Sequence, residues 1–192
     1  MSMRDDMHPI VWPEARRASW EGFLVDLGSV SPTAADETRA RAWPAEDRLL
    51  PWWVLRALLA GEPVPPCARL ARVIELRGEM VAAESVKRLV ASGLCMGLEG
   101  LMVYGTLQTP DSLWALLDAL TELQWLDLRS PSPMLGSAPP VAARPSALHL
   151  GNCNTRWPTA LTASSLFERV QRLKLVRLQG VSKGMWPSRS RG

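Results

Sequence analysis

The side chains of this chain that nucleophilic, acid–base or metal chemistry would draw on first are few: two histidines and three cysteines in 192 residues. The histidines are His8, close to the first residue, and His149; the cysteines are Cys67, Cys95 and Cys153. A Ser-His-Asp or Cys-His mechanism needs a base within hydrogen-bond reach of its nucleophile, so His149 is the imidazole to ask. It lies between Leu148 and Leu150, an alternation that makes it a solvent-facing strand residue. With Cys153 it forms only a fragment of a metal site. Cys67 and Cys95 belong to other regions, and no C-x-x-C occurs. Gly93, Gly97 and Gly100 fit neither a Walker-type loop nor G-x-G-x-x-G. The expectation is a protein that is not an enzyme, with no metal and no cofactor. An enzyme would need a pocket around His149 with a perturbed titration.

A stronger candidate is a row of polar and aromatic residues interleaved with aliphatic ones. It comprises Glu75 and Arg77, Met102 and Tyr104, Asp127 and Arg129, His149, then Arg177 and Gln179. Parallel strands about 4.8 Å apart would bring these side chains into columns. Tyr104 beside Met102 is an aromatic-plus-thioether anchor of the kind interfaces favour, ringed by charges of both signs. A nucleic-acid face would be uniformly basic, so the row reads as a surface for a protein partner. The plainer alternative is a solvated sheet whose opposite charges pair across strands.

The elements that must position this row are short strands with one aliphatic face. In TELQWLDLRS, Leu123, Leu126 and Leu128 follow L-x-x-L-x-L, and Leu126 and Leu128 alternate with Asp127 and Arg129. The same spacing places Ala71, Ile74 and Leu76 upstream, then Leu98, Leu101 and Val103. Downstream it places Pro145, Leu148 and Leu150, then Leu173, Val176 and Leu178. The positions Ile74, Leu101, Leu126, Leu148 and Val176 lie 27, 25, 22 and 28 residues apart. Intervals of roughly 20–29 residues characterise one class of repeat. Across roughly residues 70–181 the pattern resembles the leucine-rich repeat family. The slot three residues after each second aliphatic holds Glu79, Thr106, Pro131, Cys153 and Val181, of which Cys153 matches the family's usual Asn or Cys. The resemblance implies an α/β leucine-rich-repeat solenoid, with parallel strands on a concave side that carries the polar row and helices on the convex side.

Connections and flanks complete the reading. Ala82–Ala91, Pro110–Leu120 with Thr109 as cap, and Thr162–Val170 have helical periodicity. The stretch SPSPMLGSAPPVAARP, rich in proline, is expected to cross as an irregular segment. Residues 1–66 lack the repeat and read as a helical, Trp-rich N-terminal cap on the first strand's edge. Within it, Ala15–Leu27 is amphipathic. Ser31 or Thr33 caps a second helix limited by Pro44, and a third, with Trp53 on its inner face, starts near Leu49 or Leu50 and ends at Gly61. EPVPPC follows as an extended linker, residues 67–181 form the repeat-like domain, and residues 182–192 form a basic tail.

Composition bounds the partners. Apolar content of 47% supports a core, and a net charge of +3 is too small to argue for nucleic acid. No run of about 18 apolar residues suggests a membrane span. The first residues lack the apolar region of a signal peptide, and an odd number of cysteines without framework spacing suits a reducing cytoplasmic setting. The functional expectation is a non-catalytic protein-binding module. The alternative is an accessory subunit of a larger assembly, docking through its Trp-rich cap and an open C-terminal edge that could also support oligomers.

Overall fold

The computed structural model describes residues 14–77, 80–105, 110–129, 140–151 and 165–176. Three helices come first: α1 (Glu14–Leu27), α2 (Ala34–Ala40) and α3 (Trp52–Ala60). Thr33 starts α2 with a capping box, its hydroxyl accepting from the Asp36 amide while the Asp36 carboxylate accepts from the Thr33 amide. Pro51 is the N-cap of α3, so the helix begins two to three residues later than its apolar pattern suggested. Proline lacks an amide and fits at a helix start, where no bond is lost. Gly61 closes α3 in the left-handed conformation, at φ 79°. The expected extended linker is extended only to Pro65, since Pro66–Leu70 winds into a 3-10 turn.

Five strands follow: β1 (Val73–Arg77), β2 (Gly100–Tyr104), β3 (Trp125–Arg129), β4 (Ala147–Gly151) and β5 (Arg172–Val176). They pair in parallel and in chain order, β1-β2-β3-β4-β5. Parallel neighbours cannot be joined by a hairpin, and helices α4 (Ala83–Ala91) and α5 (Pro110–Ala119) serve as the first two crossovers. The third is irregular where it is described, from Pro140 to Ser146. The fourth holds a 3-10 turn at Ser165–Phe167 rather than the expected helix to Val170, and residues 162–164 lie outside the described residues. The fold is α/β, an open five-stranded parallel sheet that does not curl. A backing layer of helices, 8–10 Å apart against strands about 4.8 Å apart, is what bends such a sheet. Here α4 and α5 are the crossover α-helices among the described residues.

The sheet's inner face is the aliphatic one. Ile74, Leu101, Leu126 and Leu148 stand in one register row, and Leu76, Val103, Leu128 and Leu150 in the next. All eight are at most 3% exposed. They form one core with Val86 and Leu89 of α4, Leu113, Leu116 and Leu117 of α5, and Val54, Leu55 and Leu58 of α3. Each fully buried side chain of this size contributes about 1.5–3 kcal/mol.

The last rung differs from its expected place. Leu173 and Leu175, not Val176 and Leu178, pair with Leu148 and Leu150. The segment from Val170 to Leu178 offers two L-x-x-L-x-L frames three residues apart. The sheet takes the earlier one, Val170, Leu173 and Leu175, which sets Leu173 25 residues on from its partner Leu148.

Each strand begins alike. A carbonyl one strand back accepts two successive amides: Arg48 from Arg72 and Val73, Arg72 from Glu99 and Gly100, and Glu99 from Gln124 and Trp125. Gln124 then accepts from Ser146 and Ala147, and Ser146 from Gln171 and Arg172. The first of these carbonyls belongs to the segment before α3, where Leu49 bridges Val73 and the Leu50 amide reaches the Val73 carbonyl at 2.7 Å. That edge of β1 is therefore partly satisfied. A second cluster, Trp20, Phe23, Leu24, Ala40, Cys67 and Leu70, ties α1 and α2 to the chain before β1. The Trp20 indole donates to the Leu49 carbonyl at 2.8 Å.

Candidate functional site

Alternation turns the remaining strand residues to the other face. Register sets Val73, Gly100, Trp125, Ala147 and Arg172 in one row. Glu75, Met102, Asp127, His149 and Lys174 form the second, and Arg77, Tyr104, Arg129, Gly151 and Val176 the third. Glu75, Arg77, Met102, Tyr104, Asp127, Arg129 and His149 thus share one face. Arg177 and Gln179 lie outside the described residues. The places expected for them in the rows are held by Lys174 and Val176, because β5 pairs in the earlier frame.

This face is more covered than a solvated row would be. Met102 is 1% exposed, packed with Leu49 and Val73 and flanked by Tyr104 and Trp125. The Trp125 ring lies on Gly100, where a Cβ would fall 2.1 Å from a ring carbon. Glycine is required there by the close approach, not by its backbone freedom. The Tyr104 hydroxyl donates to the Met102 sulfur at 3.1 Å.

Beside this apolar floor is a charged cluster centred on Asp127, itself only 5% exposed. Arg129 grips its carboxylate with two nitrogens, Nε at 3.0 Å from Oδ1 and Nη2 at 2.7 Å from Oδ2. From the next strand His149 donates through Nδ1 to Oδ2 at 3.0 Å. Burial alone would raise the Asp127 pKa, but the hydrogen bonds and charges of His149 and Arg129 outweigh it and hold the carboxyl below its usual range. Burial would likewise lower the Arg129 pKa, and the bonded Asp127 carboxylate reverses it. The Arg129 guanidinium stacks 5.0 Å over the Tyr104 ring. Its stem runs across Gly151, where a Cβ would come within 3.3 Å of Cγ. Burial first, then the Asp127 charge, pushes the Tyr104 phenol up to about 12.

With Nδ1 donating to Asp127, His149 leaves Nε2 to act on something else, the arrangement of a base held by its orienting carboxylate. Nε2 is buried and has no hydrogen-bond partner, so no nucleophile meets it among the described residues. Cys67 and Cys95 are free and buried in the interior, and burial lifts the Cys95 thiol to about 11, away from thiolate. His8 and Cys153 lie outside the described residues. No group of three metal-ligating side chains occurs among the described residues. At the β1 end, Glu75 and Arg77 line a cavity of about 220 Å³ with Arg17, Leu49, Trp52 and Met80.

Sequence reasoning missed Trp125, Gly100 and Lys174. The alternation that selected Asp127 would have reached Trp125 two residues earlier. Its seat on Gly100 depends on register, which spacing alone leaves open. No helix among the described residues is long and apolar enough to cross a membrane. Compared with protein-family models, curated proteins and solved structures, the chain matches none of them.

Proposed function

We propose that this chain is a non-catalytic protein-binding module, a divergent relative of leucine-rich-repeat solenoids that engages its partner through the polar face of the sheet. The repeat reading draws support from strand spacings of 22–27 residues and from the two-amide carbonyl that recurs at each strand start. In this reading residues 1–66 cap the first strand and residues 67–181 carry the repeats. The observation that carries the function is the locked cluster Tyr104–Arg129–Asp127–His149. It presents an arginine stacked on a tyrosine, residue types enriched at binding hot spots. Both are fixed by neighbours before any partner arrives, so little side-chain entropy remains to be lost. The test is affinity capture from the native source with the wild-type chain and with Tyr104→Ala/Arg129→Ala. A protein retained by the first and lost by the second supports the face. Equal retention by both moves the site elsewhere.

A second reading has its own observation. Trp52 and Trp53, adjacent at the start of α3, are 55% and 39% exposed, although Trp53 was expected to face inward. Leu173, on the outermost strand, is 38% exposed. An accessory subunit would use these apolar surfaces in an assembly. Sedimentation of the purified chain separates the two readings: a monomer favours the module, and obligate association favours the assembly part.

A further inference from the structure

Away from the strand face, α2 and the 3-10 turns Pro66–Leu70 and Leu94–Gly97 enclose a cavity of about 330 Å³. Four arginines line it: Arg41, Arg48, Arg69 and Arg72. Like charges so gathered repel, and the fold compensates two of them. Arg69 pairs with Glu37 at 3.1 Å and donates to the Pro32 carbonyl at 2.8 Å. Arg72 pairs with Glu99 at 3.3 Å and donates to the carbonyls of Arg69 and Ala71. Gly97 leaves room for it, since a Cβ there would stand 3.1 Å from Arg72 Nη1.

Arg48 is different. It is only 9% exposed, no hydrogen bond or ion pair engages its guanidinium among the described residues, and its Nε is buried without a partner. Burial, then the neighbouring Arg72 charge, lowers its pKa. A buried donor without an acceptor carries its full desolvation penalty, and packing alone would be served better by an apolar residue of similar volume. The position makes physical sense if an anion completes it.

We propose that this cavity binds a small phosphate-bearing anion, with Arg48 as its buried anchor. Four guanidiniums set against the carboxylates of Glu37, Glu99 and Glu46, the last two acting on Arg48, leave a net positive charge. A phosphate monoester carries close to two negative charges at neutral pH, and its oxygens match the guanidinium fork. The volume stands at the lower end of small-ligand pockets, which span about 300–1,000 Å³, and so suits a compact phosphate compound. Arg69 and Arg72 are already held in place, so the ligand need order little beyond Arg41.

Isothermal titration of the full chain with inorganic phosphate tests the site, with acetate and chloride at matched ionic strength as controls. Phosphate is expected to bind saturably at one site, with acetate at least about tenfold weaker. Arg48→Met, which keeps the stem and removes the charge, should weaken phosphate about tenfold or more while circular dichroism and Tm hold or rise. Absence of saturable phosphate binding, equal affinity for acetate, or wild-type affinity in Arg48→Met overturns the proposal. Should Arg48→Met fail to fold, the exposed pair Arg41→Ala/Arg69→Ala replaces it, with the same loss expected and unchanged affinity equally fatal.

Discussion

Tyr104 offers a direct measurement of the cluster, because it is the single tyrosine of the chain. Its phenol is raised from 10.0 to about 12, first by burial and then by the Asp127 carboxylate, with Arg129 pulling partly the other way. A folded-state pKa above the unfolded one means stability that is fully present below pH 10 and lost as the pH climbs from there toward 12. At 1.36 kcal/mol per unit the shift corresponds to nearly 3 kcal/mol, which the partial exposure of the ring trims to about 1–2 kcal/mol. The assay is the ultraviolet absorbance of the phenolate after a rapid pH jump, recorded on the native chain and on the chain in denaturant. The denatured sample should titrate near 10 and the native one about two units later. Asp127→Asn removes a charge that opposes ionisation, so its native midpoint should fall. A native midpoint near 10, with the circular dichroism still that of the folded chain, would refute the packing of Tyr104 against Met102 and Arg129.

Other perturbations reach the rest of the structure. Gly100→Ala should destabilise by about 1–3 kcal/mol in chemical denaturation, through collision with the Trp125 ring; in a Trp125→Ala background the penalty should nearly vanish, and an equal penalty in both backgrounds would deny the contact. Leu101→Ala, at a fully buried position, should lose about 2–5 kcal/mol, whereas Leu173→Ala, 38% exposed, should lose under about 1 kcal/mol. Because the Asp127 pKa is depressed, its contribution to stability is complete above about pH 4 and disappears as the pH falls through the folded value. Thermal melts at descending pH should therefore show a shallower acid limb in Asp127→Asn than in wild type, and parallel limbs would contradict the carboxylate's role.

Which of these features could be read from residue order depends on the distance over which each is decided. The pairs Ile74/Leu76, Leu101/Val103, Leu126/Leu128 and Leu148/Leu150 were legible because two-residue alternation is local and each pair has one frame. The last rung was not, since Val170, Leu173 and Leu175 fit the spacing as well as Leu173, Val176 and Leu178 do. Only pairing with β4 selects between them. Asp127 and Met102 were placed on the outer face by alternation, but their burial was invisible. It arises from Arg129 and His149 folding over one, and from Leu49, Val73, Tyr104 and Trp125 around the other. The arginine cavity left no trace at all. Arg41, Arg48, Arg69 and Arg72 follow no spacing rule, and what gathers them is the docking of α2 against two turns.

The chain-order pairing of β1 to β5 has a kinetic side. Every strand's hydrogen-bonded neighbours are the ones just before and just after it, so each ladder closes a loop of similar, moderate length. No late, long-range docking is needed to complete the sheet, which favours rapid growth outward from its centre. The inner-face residues of β1 to β4 are all at most 3% exposed, and β2 and β3 are flanked by paired strands on both sides, while β5 has no fully buried residue. Amide exchange should therefore advance as a front from Val176 inward, with the amides of Leu126 and Leu101 surrendering their protons last.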